Sequence, residues 1–238
     1  MNVDYVEHYG TDLSVVNAAR VSFANESSWE VTYEDDYDVE SRTITHVPIQ
    51  RLSERDAKLI HYLAKHKHTS CFEHQGATLR LKVPIFIARQ IQRHRTFSYN
   101  EVSRRYVDTP PEFYFPDKWR AKADNVKQGS GDDEVADYTS LWQFDSVKED
   151  YSEHINSSVE FYNHLLAEGV APELARTVLP QSMYTEFYMT GNLRNWSHFL
   201  KLRLDGHAQK EVQDVANQVL AILQPLFPVS VEALMTYD

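Results

Sequence analysis

Glycine is scarce in this chain: there are seven in 238 residues. Neither G-x-G-x-x-G nor a Walker loop occurs, so a bound nucleotide has to be held by side chains rather than by a glycine cradle. Cysteine is scarcer still. A lone Cys71 excludes an internal disulfide and a multi-cysteine zinc site, and fits a reducing, cytoplasmic setting. No apolar run approaches the eighteen or so residues of a membrane span. The start, Met1-Asn2-Val3-Asp4, has no basic n-region and no apolar h-region, so no signal peptide is expected. Positive charge is also in deficit: 24 basic against 35 acidic residues gives a net charge of −11. Such a chain is a poor candidate for coating nucleic acid.

Against that background one stretch stands out. Residues 93–106 read Arg-His-Arg-Thr-Phe-Ser-Tyr-Asn-Glu-Val-Ser-Arg-Arg-Tyr and carry four arginines. Guanidinium groups this close repel one another unless an anion lies between them, and their planar forks suit phosphate or carboxylate. The stretch follows Val83-Pro84-Ile85-Phe86-Ile87-Ala88, where Pro84 fits the first turn of a helix. On that helix Phe86, Gln90 and Arg93 share a face, so Gln90 and Arg93 can address one ligand. After Arg95 the pattern breaks, and Ser98-Tyr99-Asn100 reads as a turn. The competing reading is a solvated basic helix end that complements the dipole.

The hydrophobic content of 42% supports one substantial core. Residues 3–6 read as a strand and Asp12 as the cap of a helix holding Val15 and Val16. Residues 25–46 carry Glu26, Glu30, Glu34, Asp35, Asp36, Asp38 and Glu40 and read as an exposed excursion with a loose hairpin. Ser53 and Asp56 resemble a capping box that opens a helix to Lys65. His66-Lys67-His68 and Glu73-His74 follow without metal-ligand spacing, so a polar loop is preferred to a metal site. Residues 77–83 alternate as a half-buried strand. Residues 108–116 read as an irregular connection, and 117–149, with Gly129-Ser130-Gly131, as a flexible polar segment. A helix from about Asp150 ends near Gly169. A short helix after Pro172 carries Arg176, and Ser182 to Met189 alternate as a strand. Asn192 is an N-cap for a helix bearing Arg194, His198 and Arg203, with Arg203 either at a core edge or aimed into a pocket. A last helix, about 209–223, is closed by Pro225 and Pro228.

The search for a nucleophile is negative. No serine sits in a G-x-S-x-G elbow. Ser103, between arginines, has no adjacent base and suits hydrogen bonding to phosphate better than attack.

Several ordered blocks together resemble the flavin-dependent thymidylate synthases. They are Arg93-His94-Arg95 followed after seven residues by Ser103, Ala18-Ala19-Arg20-Val21-Ser22, Phe72-Glu73-His74, Pro84 to Gln90, Asn192-Leu193-Arg194, and Phe199 to Arg203. The likeness covers nearly the whole chain as a single domain, except excursions at about 25–50 and 117–149. It implies an α+β fold, a central, mostly antiparallel sheet flanked by helices. It implies conversion of dUMP to dTMP, with methylenetetrahydrofolate as carbon donor and NADPH as reductant through bound FAD, in a homotetramer with shared active sites. By the same resemblance Gln90, Arg93, Glu101, Ser103, Arg105, Arg176 and Arg203 are expected at dUMP, with Arg176 on the phosphate and Arg203 as the catalytic group polarising the uracil ring. His68, Ser70, Glu73, Arg93, His94, Arg95, Glu101, Asn192, Arg194 and His198 are expected at FAD. No metal is implied. Three positions depart from the family's pattern: Ser70 for threonine, Cys71 for proline and Arg104 for glycine. A nucleotide or polyanion receptor without catalysis explains the arginines but not the set His94, Asn192 and His198. A nucleic-acid binder stacking bases on Tyr99 and Tyr106 conflicts with the net charge.

Overall fold

The structure is a computed structural model that describes residues 1–38, 43–107, 109–122, 130–136 and 138–237. Glu40 and Gly129 of the expected excursions, and Asp108 of the expected irregular connection, lie outside the described residues. In order, the elements are β1 (Asn2–Tyr9), α1 (Asp12–Arg20), β2 (Glu30–Asp38), β3 (Thr43–Arg51), α2 (Glu54–Lys65), β4 (Gly76–Pro84), α3 (Ile85–Ile91), β5 (Ser98–Glu101), β6 (Arg120–Lys122), β7 (Ser130–Glu134), α4 (Val147–Ala167), α5 (Pro172–Ala175), β8 (Tyr184–Asn192), α6 (Leu193–Arg203), α7 (Lys210–Leu226) and α8 (Pro228–Thr236). A four-stranded sheet has the order β1-β4-β8-β5, and β2-β3 and β6-β7 form separate two-stranded sheets. The mixture of helices and antiparallel sheet is the expected α+β class. Among the described residues no helix is long and apolar enough to cross a membrane.

By contact the chain divides into two compact units. The first comprises Met1–Tyr5, Leu79–Met189 and Leu202–Gln218. Its core is built on Leu79, Leu81 and Val83 of β4, Ile87 and Ile91 of α3, Phe187 and Met189 of β8, and Val212 and Val215 of α7, all buried. The second comprises Val6–Thr78, Thr190–Lys201 and Val219–Asp238. There Ile60, Leu63 and Ala64 form the i, i+3, i+4 stripe of α2, with Trp196 and Phe199 of α6 and Phe227 and Val231 also buried.

Several expectations need correcting, each for a local physical reason. Residues 98–100 are part of β5 rather than a turn, because the chain there pairs beside β8; just beyond it, the Val102 amide donates to the Glu186 carbonyl at 2.9 Å. The helix before it ends at Ile91, so Arg93 leaves the helix instead of sharing a face with Gln90. The Tyr99 hydroxyl donates to the carbonyls of Ile91 at 3.3 Å and His94 at 2.9 Å, adding to the amides of His94 and Phe97 that those carbonyls also accept. Residues 77–83 of β4, by contrast, are half-buried as expected: Ala77, Leu79, Leu81 and Val83 are buried on one face, while Arg80 is exposed and Lys82 partly exposed on the other, where only Thr78 is buried. Thr11 rather than Asp12 caps α1, its backbone N–H meeting the Ser14 hydroxyl at 3.0 Å.

Asp12 is buried at 4% exposure and caps a different helix. Its carboxylate accepts from the amides of Val229 at 2.9 Å and Ser230 at 3.0 Å, the first turn of α8. Pro228 therefore opens α8 rather than closing α7, and Pro225 lies inside α7. The hairpin at β2-β3 is regular, pairing Glu30 with Arg51 through to Asp38 with Thr43. The polar segment after Pro116 contributes the ribbon β6-β7, and α4 starts at Val147, capped by Ser146.

In the second unit Arg20 and Asp56 form an ion pair with side chains 13% and 5% exposed. Burial alone would push the Asp56 carboxyl up. The Arg20 guanidinium and the hydroxyls of Ser53 and Ser27 outweigh it and hold the group below the usual carboxylate range. A carboxyl lowered in the folded state stabilises fully above its unfolded pKa of about 3.9 and loses that contribution as pH falls through the lower folded value. Arg20→Met is expected to cost ~3 kcal/mol at neutral pH in urea denaturation, the scale for a buried charge left alone, and to flatten the loss of stability on acidification below pH 4. An acid limb unchanged by the substitution would contradict the assignment.

Candidate active site

In the first unit, α6 ends where the chain delivers Arg203 to the C-terminal end of α3. Arg203 Nε donates to His94 Nε2 at 3.1 Å, and Arg203 Nη2 donates to the Gln90 carbonyl at 2.8 Å. A guanidinium can only donate, so His94 Nε2 is an acceptor and the neutral ring carries its proton on Nδ1. Burial, reinforced by the nearby Arg93, lowers the Arg203 pKa, yet an arginine stays charged. Two blocks more than a hundred residues apart thus meet at one cation.

The same unit contains a cavity of about 930 Å³. Glu101, Ser103 and Arg176 line it, with Lys82, Arg89, Arg104 and Thr185 among its other walls. Glu101 is fixed at both carboxylate oxygens: Thr185 Oγ1 donates to Oε1 at 2.6 Å, and Gln92 Nε2 to Oε2 at 3.0 Å. Arg104 turns its guanidinium to the carbonyls of Thr109 and Pro110. Gln90, Arg93, Arg105 and Arg203 are not among the cavity's lining residues.

Most of these cations lack a counter-charge. Arg93, Arg95, Arg105 and Arg176 are exposed, and among the described residues none forms an ion pair. Exposed to water they need no partner to be stable, and their planar donors are available to an anionic ligand. The guanidinium of Arg105 lies over the Tyr106 ring at 5.1 Å.

The second unit holds the remaining residues. Strand β8 ends at Asn192, whose Oδ1 accepts from the Asn195 amide at 3.0 Å and caps α6 as expected. Arg194 in the first turn of α6 pairs with Glu73. Ser70 and Glu73 lie in a 3₁₀ turn, Thr69–Glu73, with Phe72 buried beneath. His68 precedes it, its ring 6.0 Å from Tyr62 and 6.4 Å from His66. His198 is exposed on α6. Among the described residues no three His, Cys, Asp or Glu are arranged to hold a metal ion.

The structure also shows contributors that sequence reasoning passed over. Thr185 is one; its signal is a hydroxyl in the otherwise apolar stripe Met183, Phe187, Met189. Gln92, Arg89 and Lys82 gave no pattern of their own.

With this geometry in view, comparison with known proteins is specific. The family model described as thymidylate synthase complementing protein matches residues 4–229. The chain is 38% identical over 235 residues to the flavin-dependent thymidylate synthase of Thermotoga neapolitana, covering 99% of this chain and 91% of that one. It is 40% identical over 182 residues to the flavin-dependent thymidylate synthase of Dictyostelium discoideum, 76% of this chain but only 59% of that longer relative. The crystal structure of a UMP/dUMP methylase, PolB from Streptomyces cacaoi, bound with 5-Br dUMP, superposes with a TM-score of 0.75 at 33% identity, covering 99% of this chain and 95% of that one. The chain belongs to the flavin-dependent thymidylate synthase family.

Gly76 supports Asn192 from beneath. A Cβ at Gly76 would sit 2.7 Å from the Asn192 Cα and nearer still to the Gly191 carbonyl. Gly76→Ala is expected to lower stability by about 1–3 kcal/mol, the cost of overpacking, measured by urea denaturation. An unchanged midpoint would show that β8 can give way at the cap of α6.

Proposed function

We propose that the protein is a FAD-dependent thymidylate synthase that converts dUMP to dTMP, with methylenetetrahydrofolate as carbon donor and NADPH as reductant. The observation that carries this reading is the seating of Arg203 on His94 and on the Gln90 carbonyl, in a family whose curated relatives bear that name. The donor set fits both ligands. Arginines without carboxylate partners suit a nucleotide monophosphate and the pyrophosphate of FAD. Asn192, Arg194, Ser70 and Glu73 offer amide, cation, hydroxyl and carboxylate groups from one unit. Bound flavin would supply the redox chemistry, passing a hydride from the nicotinamide cofactor toward the pyrimidine.

The chain's own groups bind and polarise. Arg176 and Ser103 suit the 5′-phosphate, because a guanidinium and a hydroxyl both donate to it and both line the same cavity. Glu101, locked by Thr185 and Gln92, presents a fixed carboxylate in that cavity. Arg203 stabilises negative charge developing on the uracil ring as C6 accepts a hydride, an electrostatic effect that requires no protein nucleophile. His94 and the Gln90 carbonyl hold that guanidinium in place beforehand. Glu101, Ser103 and Arg176 line one cavity while Gln90 and Arg203 do not, so in this reading a second subunit of a homotetramer completes each site.

The Streptomyces cacaoi methylase has also been crystallised with 5-Br UMP, so UMP is the competing substrate. The test is purified protein supplied with NADPH, methylenetetrahydrofolate and either dUMP or UMP. Flavin absorbance that bleaches with NADPH, and dTMP formed from dUMP, are expected. A colourless protein that binds dUMP without turnover would favour a receptor. Arg203→Ala is expected to keep the flavin and lose roughly 10²–10³ in kcat, the scale for removing one preorganised donor. A near-normal kcat would refute its role.

A further inference from the structure

The ribbon β6-β7, in a stretch that reads as a polar linker, is tied into the first unit by a buried charge. Arg120 of β6 donates through Nη2 to Glu211 Oε1 at 2.6 Å, and through Nε to the Ser130 hydroxyl at 2.7 Å. Glu211, in the first turn of α7, is 4% exposed. The Tyr114 hydroxyl also reaches Oε1, at 3.3 Å. Burial alone would push the Glu211 carboxyl up, but Arg120, its own backbone N–H and Gln209 hold it below the usual range, so it is ionised at neutral pH.

An ionised carboxylate only accepts hydrogen bonds, and this sets a direction. Gln209 must turn its amide nitrogen toward Glu211, and Nε2 donates to Oε2 at 2.9 Å. Its carbonyl oxygen therefore faces the other way, where it accepts from Gln90 Nε2 at 2.6 Å. Two amides in series inherit their orientation from one buried charge. Gln90 is also the residue whose backbone carbonyl receives Arg203. If the charge at Glu211 is removed, the first amide can rotate, and nothing then dictates which end of Gln90 faces outward.

We propose that Glu211, held by Arg120, is a positioning residue for the pyrimidine site: acting through Gln209, it sets the orientation in which the Gln90 amide meets the nucleotide. This rests on the reading above that Gln90 contacts dUMP. It gives the ribbon β6-β7 a task, since Arg120 is what keeps the buried carboxylate charged. A different role for Glu211 is to complement the N-terminal dipole of α7. That role affects stability alone and is blind to Gln90.

A double-mutant cycle on the full-length protein separates the two. Glu211→Gln is expected to raise the dUMP KM roughly tenfold with kcat little changed, and Gln90→Ala to do the same, each the loss of one oriented polar contact. Combined, they should be no worse than Gln90→Ala alone. Increases that multiply, to roughly a hundredfold, would overturn the proposal. Should Glu211→Gln fail to fold, Gln209→Leu cuts the same link with the Arg120–Glu211 pair intact. The same non-additivity with Gln90→Ala is then expected, and multiplicative effects would again overturn it. A wild-type protein that neither binds nor methylates dUMP would sink the functional reading instead. The relay is then decided by the crystal structure of Glu211→Gln, in which a Gln90 amide still bonded to Gln209 as before would overturn it.

Discussion

A single guanidinium, that of Arg203, sets the requirements for much of the first unit. It is a half-buried cation with another arginine nearby, which is an unfavourable place for positive charge. Two neutral acceptors, His94 Nε2 and the Gln90 carbonyl, hold it without cancelling it. A carboxylate partner would have made a conventional ion pair and removed the charge from use. Keeping the charge available requires α3 to end early, so that the carbonyl of Gln90 and the ring of His94 are presented together. Tyr99 braces that ending by donating to the carbonyls of Ile91 and His94.

Buried carboxylates do the complementary work away from these cations. Asp12 caps α8, Asp56 secures Arg20, and Glu211 binds Arg120 and orients an amide chain. Asp150, near the start of α4, collects Tyr138, Ser140 and the amide of Leu141 at 2.6 to 2.7 Å. In each case several donors offset the cost of removing a charge from water. The contrast with Arg93, Arg95, Arg105 and Arg176 is informative. The buried anions are neutralised because they are out of water, whereas these exposed cations, without ion pairs among the described residues, keep their donors available to an anionic ligand.

The elements with strong periodicity were legible from sequence. The stripes of α2 and α7, the alternation of β8 and the caps at Ser53 and Asn192 are local, and they stand where expected. What escaped was set by distant partners. Ser98-Tyr99-Asn100 carries turn residues, and pairing beside β8 overrides them. Pro228 reads as a stop until Asp12, 217 positions before Val229, supplies the cap. Residues 120–134 look like a polar linker because the buried partner of Arg120, Glu211, lies 91 residues on. At the site, the arginine cluster announced itself through chemistry, since no core needs it. Arg203 did not: an arginine one turn from Phe199 is as consistent with a core edge as with a pocket. Only the resemblance across several blocks favoured the pocket, and the hydrogen bonds to His94 and the Gln90 carbonyl show where the guanidinium is held.

The most direct test of the central claim is a crystal structure of the protein with FAD and 5-Br dUMP bound. The account predicts the Arg203 guanidinium about 3 Å from the polar edge of the pyrimidine, a hydrogen-bond distance, with His94 still accepting from its Nε. A pyrimidine lying beyond the reach of Arg203 from every subunit, with that guanidinium still on Gln90 and His94, would contradict it.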